Sequence, residues 1–162
     1  APVIGKRASK IIAQKLGVKP RLRRNPGHKM AVRFWPAKDV FEPNEAVMVT
    51  MEIKNTGKVP FAFQDGGRQR GARNNQFSFS ASRKSGSAVP DTGDDRDFGG
   101  KSTTRDLQPG DTFEKQVDLK SWFRLANPDI YSIQGSYQME LKTEDGWTIW
   151  QDIATGDCEV VI

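Results

Sequence analysis

The feature that most constrains the fold is an alternation of apolar and polar side chains with a period of two residues. It is clearest over residues 131–141, where Tyr, Ile, Gly, Met and Leu alternate with Ser, Gln and Glu. Successive side chains of a β-strand point to opposite sides of a sheet, so this spacing is typical of a strand with one buried face. Similar stretches occur at residues 30–34, 47–53, 59–63, 77–81, 113–119, 147–153 and 158–162.

These stretches predict seven or eight short strands, with no convincing helix after Gly17. Two packed antiparallel sheets bury the apolar faces of this many strands. We therefore predict an all-β, Ig-like antiparallel β-sandwich over residues 30–162, with a small barrel as the alternative. Cys158 alternates inward with Val160 and is expected to be a small core residue. A parallel α/β sheet is excluded because the connecting segments lack helical periodicity.

Charge divides the chain into two parts. Residues 1–38 contain eleven Lys and Arg residues and no acid, whereas residues 39–162 contain fourteen bases and twenty acids. We predict a basic N-terminal arm over residues 1–29, in which Ser9 caps a short helix that ends at Gly17. Such an arm attracts an acidic protein surface, a polyanion or an anionic membrane surface. His28 has no acid or nucleophile near it in the sequence and is expected to be solvated.

Most catalytic and metal-binding arrangements are excluded by composition. One Cys and one His rule out an internal disulfide, a zinc finger and a two-His metal site within this chain. A Ser-His-Asp triad would have to use His28 from the arm, and no Gly-x-Ser-x-Gly motif occurs. We predict that the protein is not an enzyme.

The start of the sequence bears on the compartment. No apolar run approaches the roughly 18 residues of a membrane span, and no signal peptide is visible at the start. The start at Ala1 is compatible with signal removal, so an extracytoplasmic location, periplasmic or secreted, is slightly favoured.

An acidic segment is the candidate metal site. Residues 83–110 contain few large apolar side chains and are expected to form a long loop. Within it, four carboxylates occupy seven positions, and hard cations such as calcium prefer oxygen ligands. The spacing is not that of an EF-hand, and a solvated acidic loop that pairs with the basic arm is the alternative. The candidate calcium ligands are Asp91, Asp94, Asp95 and Asp97; no other cofactor is expected.

A second basic segment lies at residues 66–73, which contain three glycines and three arginines. Guanidinium groups bind carboxylates or phosphates bidentately, but no Lys-Ser/Thr ending follows to form a phosphate loop. Nucleic acid is disfavoured because residues 1–33 contain no aromatic side chain on which bases could stack. The candidate partner-binding residues are Lys6, Arg7, Lys10, Lys15, Lys19, Arg21, Arg23, Arg24, Arg68, Arg70 and Arg73.

A family resemblance is carried by residues 107–141. The order is Leu-Gln-Pro-Gly at residues 107–110, Phe113, Val-Asp-Leu at residues 117–119, Trp122 and Tyr131. It resembles bacterial and fungal Ig-like sandwiches, namely the intracellular proteinase inhibitor type and the β-domain that precedes deuterolysin-like peptidases. In such sandwiches a Tyr hydroxyl bonds the backbone at a corner, so Tyr131 is expected to bond near residues 127–129.

These observations predict a non-enzymatic interaction or accessory subunit that docks onto another protein or a larger assembly. The basic arm and the sandwich surface would make the contacts. The resemblance implies a proteinase-inhibitor-like domain as an alternative. A calcium-dependent adhesion or enzyme-appended module is a third reading, carried by the acidic segment.

Overall fold

The computed structural model describes residues 28–68, 73–93, 99–142 and 149–162. The predicted arm and its helix lie outside this range, apart from His28 and Lys29. Within it no helix is long and apolar enough to cross a membrane. The only helical element there is a single 3-10 turn, Leu119–Ser121. The strands are β1 (Met30–Pro36), β2 (Met48–Asn55), β3 (Phe61–Gly66), β4 (Phe77–Ser82), β5 (Ala88–Val89), β6 (Ser102–Leu107), β7 (Thr112–Asp118), β8 (Ile130–Lys142) and β9 (Ile149–Val161).

The strands form two antiparallel sheets, as the alternation predicts. The first sheet has the order β1-β2-β7. The second sheet is built around β8, which pairs with β9 on one side from Ile130↔Val161 to Lys142↔Ile149. On its other side β8 pairs first with β4 and then with β3. From there β4 continues to β5, and β3 continues to β6.

The core lies between the two sheets. On β8 the buried side chains recur at every second position, and on β2 Val49, Met51 and Ile53 do the same. Burying each large apolar side chain contributes about 1.5–3 kcal/mol, so this alternation holds the two sheets together. The aromatic rings of Phe34 and Phe79 meet edge to face across the core at 6.1 Å.

A pair of glycines lets the two sheets approach closely. Gly135 of β8 and Gly156 of β9 lie directly opposite each other, and the ring of Phe34 from the first sheet covers both. A Cβ atom on Gly135 would lie 2.9 Å from Cε1 of Phe34, and one on Gly156 would lie 2.7 Å from Cδ2 of the same ring. No side chain fits at either position without moving the ring.

The corner before β8 matches its sequence prediction. The hydroxyl of the buried Tyr131 donates a hydrogen bond of 2.7 Å to the carbonyl oxygen of Asn127. Burial of the phenol, with the nearby charge of Asp129, raises the pKa of Tyr131. The hydroxyl therefore stays protonated and keeps the corner closed.

Several strand predictions were wrong in detail. The expected long loop of residues 83–110 contains β5 and β6. The last two predicted strands form one continuous strand, β9, in which Asp152 and Ala154 face the core and Ile153 is 37% exposed. The β3 strand begins at Phe61, so that Val59 lies outside it and is exposed.

His28 is not solvated as the sequence suggested. It is 8% exposed, and its ring lies 5.4 Å from that of Phe61. The carbonyl oxygen of Lys29 accepts a hydrogen bond from the N–H of Thr56. The body of the protein therefore includes the last two residues of the predicted arm.

We expect Gly135→Ala and Gly156→Ala each to lower the free energy of unfolding by about 1–3 kcal/mol, the usual cost of overpacking a core. The added methyl group would push the ring of Phe34 away from the second sheet. The measurement is urea unfolding of each purified variant.

The control for this prediction is Ser136→Ala, which also places Ala on β8 but on the outward side. A smaller side chain at Phe34, as in Phe34→Leu, should recover part of the loss caused by Gly156→Ala. Equal stability of the glycine variants and the Ser136 variant would contradict the packing argument.

Candidate functional site

The candidate site is a polar cleft on the outer face of the second sheet, with a volume of about 260 Å³. Both β3 and β4 pair with β8, but with different parts of that strand, and the cleft lies in the gap between them. Its outward-facing side chains alternate along the strands with buried core residues. The lining residues are Gln64, Gly66, Gly67, Arg68, Gln76, Ser102, Gln138 and Glu140.

The floor of the cleft is the side chain of Gln76, which is only 6% exposed. Its Nε2 donates to the carbonyl oxygens of Gln64 at 3.1 Å and Gln138 at 3.3 Å. Its Oε1 accepts from the N–H of Gly66 at 2.6 Å and lies 3.2 Å from the hydroxyl of Tyr137. The amide thus bridges β3 to β8 where the two strands have few direct bonds.

One predicted partner-binding residue lines this cleft. Nη1 of Arg68 donates to Oε1 of Gln138 at 2.5 Å. This bond holds the start of the glycine-rich segment against β8. Of the other two arginines of that segment, Arg73 lies elsewhere in the structure and Arg70 lies outside the described residues.

A buried carboxylate lies beneath the cleft. Asp65 is 7% exposed, and its Oδ1 accepts from Nζ of Lys115 at 2.5 Å and from the hydroxyl of Tyr137 at 3.0 Å. Its Oδ2 accepts from Nε and Nη2 of Arg105, both at 3.2 Å. Lys115 belongs to the first sheet and Asp65 to the second, so the ion pair connects the sheets.

These contacts decide the ionisation of the cluster. Burial alone would raise the pKa of Asp65, but the bonds and charge of Lys115, together with Tyr137 and Arg105, hold it below its usual value. Burial, and then the charge of Asp65, raise the pKa of Tyr137. At neutral pH the carboxylate is therefore charged and the phenol is protonated.

A second ion pair, between a buried arginine and an exposed carboxylate, joins two residues that the sequence assigned to different sites. The side chain of Arg73 is 6% exposed, and its Nη1 and Nη2 bond the two oxygens of Asp91 at 2.6 and 3.1 Å. Its guanidinium lies 5.2 Å from the centre of the Trp122 ring. The hydrogen bond from Arg73 is the main reason that the pKa of Asp91 is lowered. Arg73 and Asp91 thereby hold their part of the chain against Trp122, which directly follows the 3-10 turn Leu119–Ser121.

A family described as the N-terminal domain of flagellar collar protein C matches residues 29–154. The chain belongs to this family. No curated protein sequence matches it.

The flagellar collar family is a different one from the families that residues 107–141 resemble. The resemblance to proteinase inhibitors and to the deuterolysin-associated domain is not confirmed. The match begins at Lys29 and ends at Ala154, so it covers most of the two-sheet body.

Many of the sequence-predicted site residues lie outside the described range. They are Lys6, Arg7, Lys10, Lys15, Lys19, Arg21, Arg23, Arg24, Arg70, Asp94, Asp95 and Asp97. Among the residues that the structure describes, no three His, Cys, Asp or Glu side chains are grouped as metal ligands. Calcium binding at the acidic segment remains a prediction, and Asp91 would have to give up its bonds to Arg73 to take part.

Sequence reasoning missed the cleft and the carboxylate beneath it. One signal was present, because Lys115 interrupts an otherwise apolar alternation on β7. Asp65 likewise occupies an inward position after Phe61 and Phe63. Opposite charges at core-facing positions of two different strands are the pattern from which the ion pair of Lys115 and Asp65 could have been predicted. The half-buried Cys158 packs against the core as predicted, and burial raises its pKa to about 11.

We expect Asp65→Asn to lower the free energy of unfolding at pH 7 by about 2–4 kcal/mol, because it leaves the ammonium of Lys115 without its buried counter-charge. The lowered pKa gives this stabilisation a pH dependence. It is present above the unfolded carboxyl value of about 4 and is lost as the pH falls through the folded value. The measurement is denaturant unfolding between pH 7 and pH 2.

Asp106→Asn on β6 is the control, since Asp106 is exposed. The loss caused by Asp65→Asn should shrink as the pH falls and the wild-type carboxylate becomes protonated. A constant difference between wild type and Asp65→Asn across this range would refute the role given to the charge.

We expect Arg73→Ala to lower the free energy of unfolding by about 1–3 kcal/mol, because a bidentate pair and the contact with Trp122 are lost. Arg73→Lys keeps the charge but cannot bond both oxygens of Asp91, so it should recover less than half of the loss. Arg124→Ala, which changes an exposed arginine two residues after Trp122, is the control. Urea unfolding compares the three variants, and equal stability of all three would contradict the structural role of Arg73.

Proposed function

We propose that this domain is a non-enzymatic structural module of a flagellar collar, which docks onto neighbouring protein subunits. The observation that carries this proposal is the family match over residues 29–154. The match spans both sheets and the polar cleft, so the proposal concerns the whole body of the domain.

The chemistry of the cleft supports a structural role over a catalytic one. Gln76, Asp65 and Tyr137 are already bonded to each other or to neighbouring strands. A general acid or base works best with a pKa near the operating pH, whereas the pKa of Asp65 is lowered and that of Tyr137 is raised. Both shifts move these groups away from proton transfer at neutral pH.

The docking contacts in this proposal come from the basic arm and from Arg68 at the cleft. Residues 1–38 contain eleven bases and no acid, which favours an acidic protein surface as the partner. Contacts between exposed charges weaken as salt screens them over about 8–10 Å. Docking through the arm should therefore fall steeply as the ionic strength rises.

The Ig-like architecture is part of the same proposal. Two antiparallel sheets, the core between them and the corner bond from Tyr131 to Asn127 support it. An extracytoplasmic location also remains a proposal that the sequence favours.

The proposal is tested in flagellated cells that produce the chain. We expect deletion of the gene to remove density from the collar in electron cryo-tomograms, and the wild-type gene to restore it. A chain in which Lys6, Arg7, Lys10, Lys15, Lys19, Arg21, Arg23 and Arg24 are changed to Gln should fold but restore no collar density, because the charge that attracts the partner is absent.

The matched control exchanges Lys for Arg and Arg for Lys at the same eight positions, so that the arm keeps its charge and should restore the collar density. Circular dichroism and immunoblotting establish that each variant is folded and present. An intact collar in the deletion strain would overturn the structural role. An intact collar with the Gln variant would overturn only the role of the arm.

A further inference from the structure

At one edge of the second sheet, β6 has no second neighbouring strand in the part of the chain that the structure describes. Among the described residues, β6 pairs only with β3. Five of its six residues are exposed, including Thr103 and Arg105, whose cross-strand partners Asp65 and Phe63 are buried. Most of β6 is therefore exposed, and half of its backbone N–H and C=O groups point away from β3.

This edge lacks several of the usual devices that prevent strands from pairing. Natural edge strands are protected by proline, by bulges, by edge lysines or by inward-pointing charges. The inward-pointing charge of β6, Arg105, is neutralised by its bonds to Asp65. Within β6 there is no proline and no glycine, and its six residues pair one to one with β3 without a bulge. Its two Thr residues suit an extended strand. The edge is regular enough to accept another strand.

We propose that β6 pairs antiparallel with β6 of a second copy of the chain, around a two-fold axis, so that the second sheets of both copies become continuous. A two-fold contact is self-complementary, and this is the commonest symmetry of protein dimers. Strand addition at an exposed edge draws its affinity from main-chain hydrogen bonds. The inference goes beyond the docking role of the arm and does not depend on it.

The charges on the strand select the register. In a two-fold antiparallel pair, one residue lies opposite itself. With Thr104 at that position, Arg105 faces Thr103 and Asp106 faces Ser102, so no like charges lie opposite each other. A centre at Arg105 would place two arginines together, and one at Thr103 would place Lys101 opposite Arg105. Like charges directly opposite are destabilising, so Thr104 is the favoured centre.

The neighbours of β6 support this register. The guanidinium of Arg105 is directed toward Asp65, with two bonds of 3.2 Å, so it does not have to leave its pair when a second strand arrives. The hydroxyl of Thr104 accepts from Nε2 of Gln64 at 2.9 Å on the outer face. The side chains of β6 are thus held by β3, and the backbone edge stays available.

Disulfide trapping tests the register directly. In the Thr104→Cys variant, two thiols face each other with Cα atoms about 4.5–5.5 Å apart, which is within the range of a disulfide. In the matched Ser102→Cys variant, the two thiols lie four residues apart along the strands, about 14 Å at about 3.4 Å per residue. Both variants carry Cys158→Ser, so that any covalent dimer comes from the introduced cysteine.

We expect mild oxidation of the purified full chain to convert most of the Thr104→Cys protein into a covalent dimer, and at least five-fold less of the Ser102→Cys protein. Equal trapping of the two variants would overturn the register. The absence of a covalent dimer in both variants, up to the highest soluble concentration, would overturn the pairing itself.

Sedimentation equilibrium gives an independent measurement in the absence of new cysteines. The average mass of the wild-type chain should rise with concentration, and Thr104→Lys should abolish the rise because it places two lysines opposite each other. Ser80→Lys, on the interior strand β4 and equally exposed, should leave the rise unchanged. A constant monomer mass for wild type would refute the pairing and would leave the docking role of the arm intact.

Discussion

The carboxylate of Asp65 is the interaction on which much of the structure depends. It is buried between the sheets and receives bonds from Lys115 on the first sheet and from Arg105 and Tyr137 on the second. A buried charge without such partners would cost several kcal/mol. The burial of the Asp65 carboxylate therefore depends on Lys115, Arg105 and Tyr137. Tyr137 in turn contacts Gln76, which forms the floor of the cleft. The inner ion pair and the outer cleft are therefore one connected network.

The strands could be predicted where one face is buried. On β8 the alternation of apolar and polar residues matches the observed burial almost without exception. It failed for β6, because both faces of that strand are exposed and its sequence carries no apolar period. It also failed for β9, where Gly156 and Asp152 occupy core-facing positions that hydrophobicity does not mark. The alternation therefore predicts which side chains are buried, but it does not predict which strands pair through their backbones.

The candidate site was much harder to predict. Gln76 and Glu140 come from segments far apart in the sequence, and neither residue type marks a site by itself. Arg73 and Asp91 were assigned to two different sites from local composition, yet they bond to each other. Composition locates charge along the chain, but the fold decides which opposite charges meet. Tyr131 was predictable because its bond to Asn127 spans only four residues.

The long ribbon formed by β8 and β9 also has a mechanical consequence. Its strands are joined over thirteen consecutive residue pairs, from Ile130 to Lys142. A force that slides one strand along the other strains many of these hydrogen bonds at once, whereas a force that peels the strands apart breaks them in succession. The domain is therefore stiffest along the ribbon axis, and its orientation in an assembly decides how much tension it can carry.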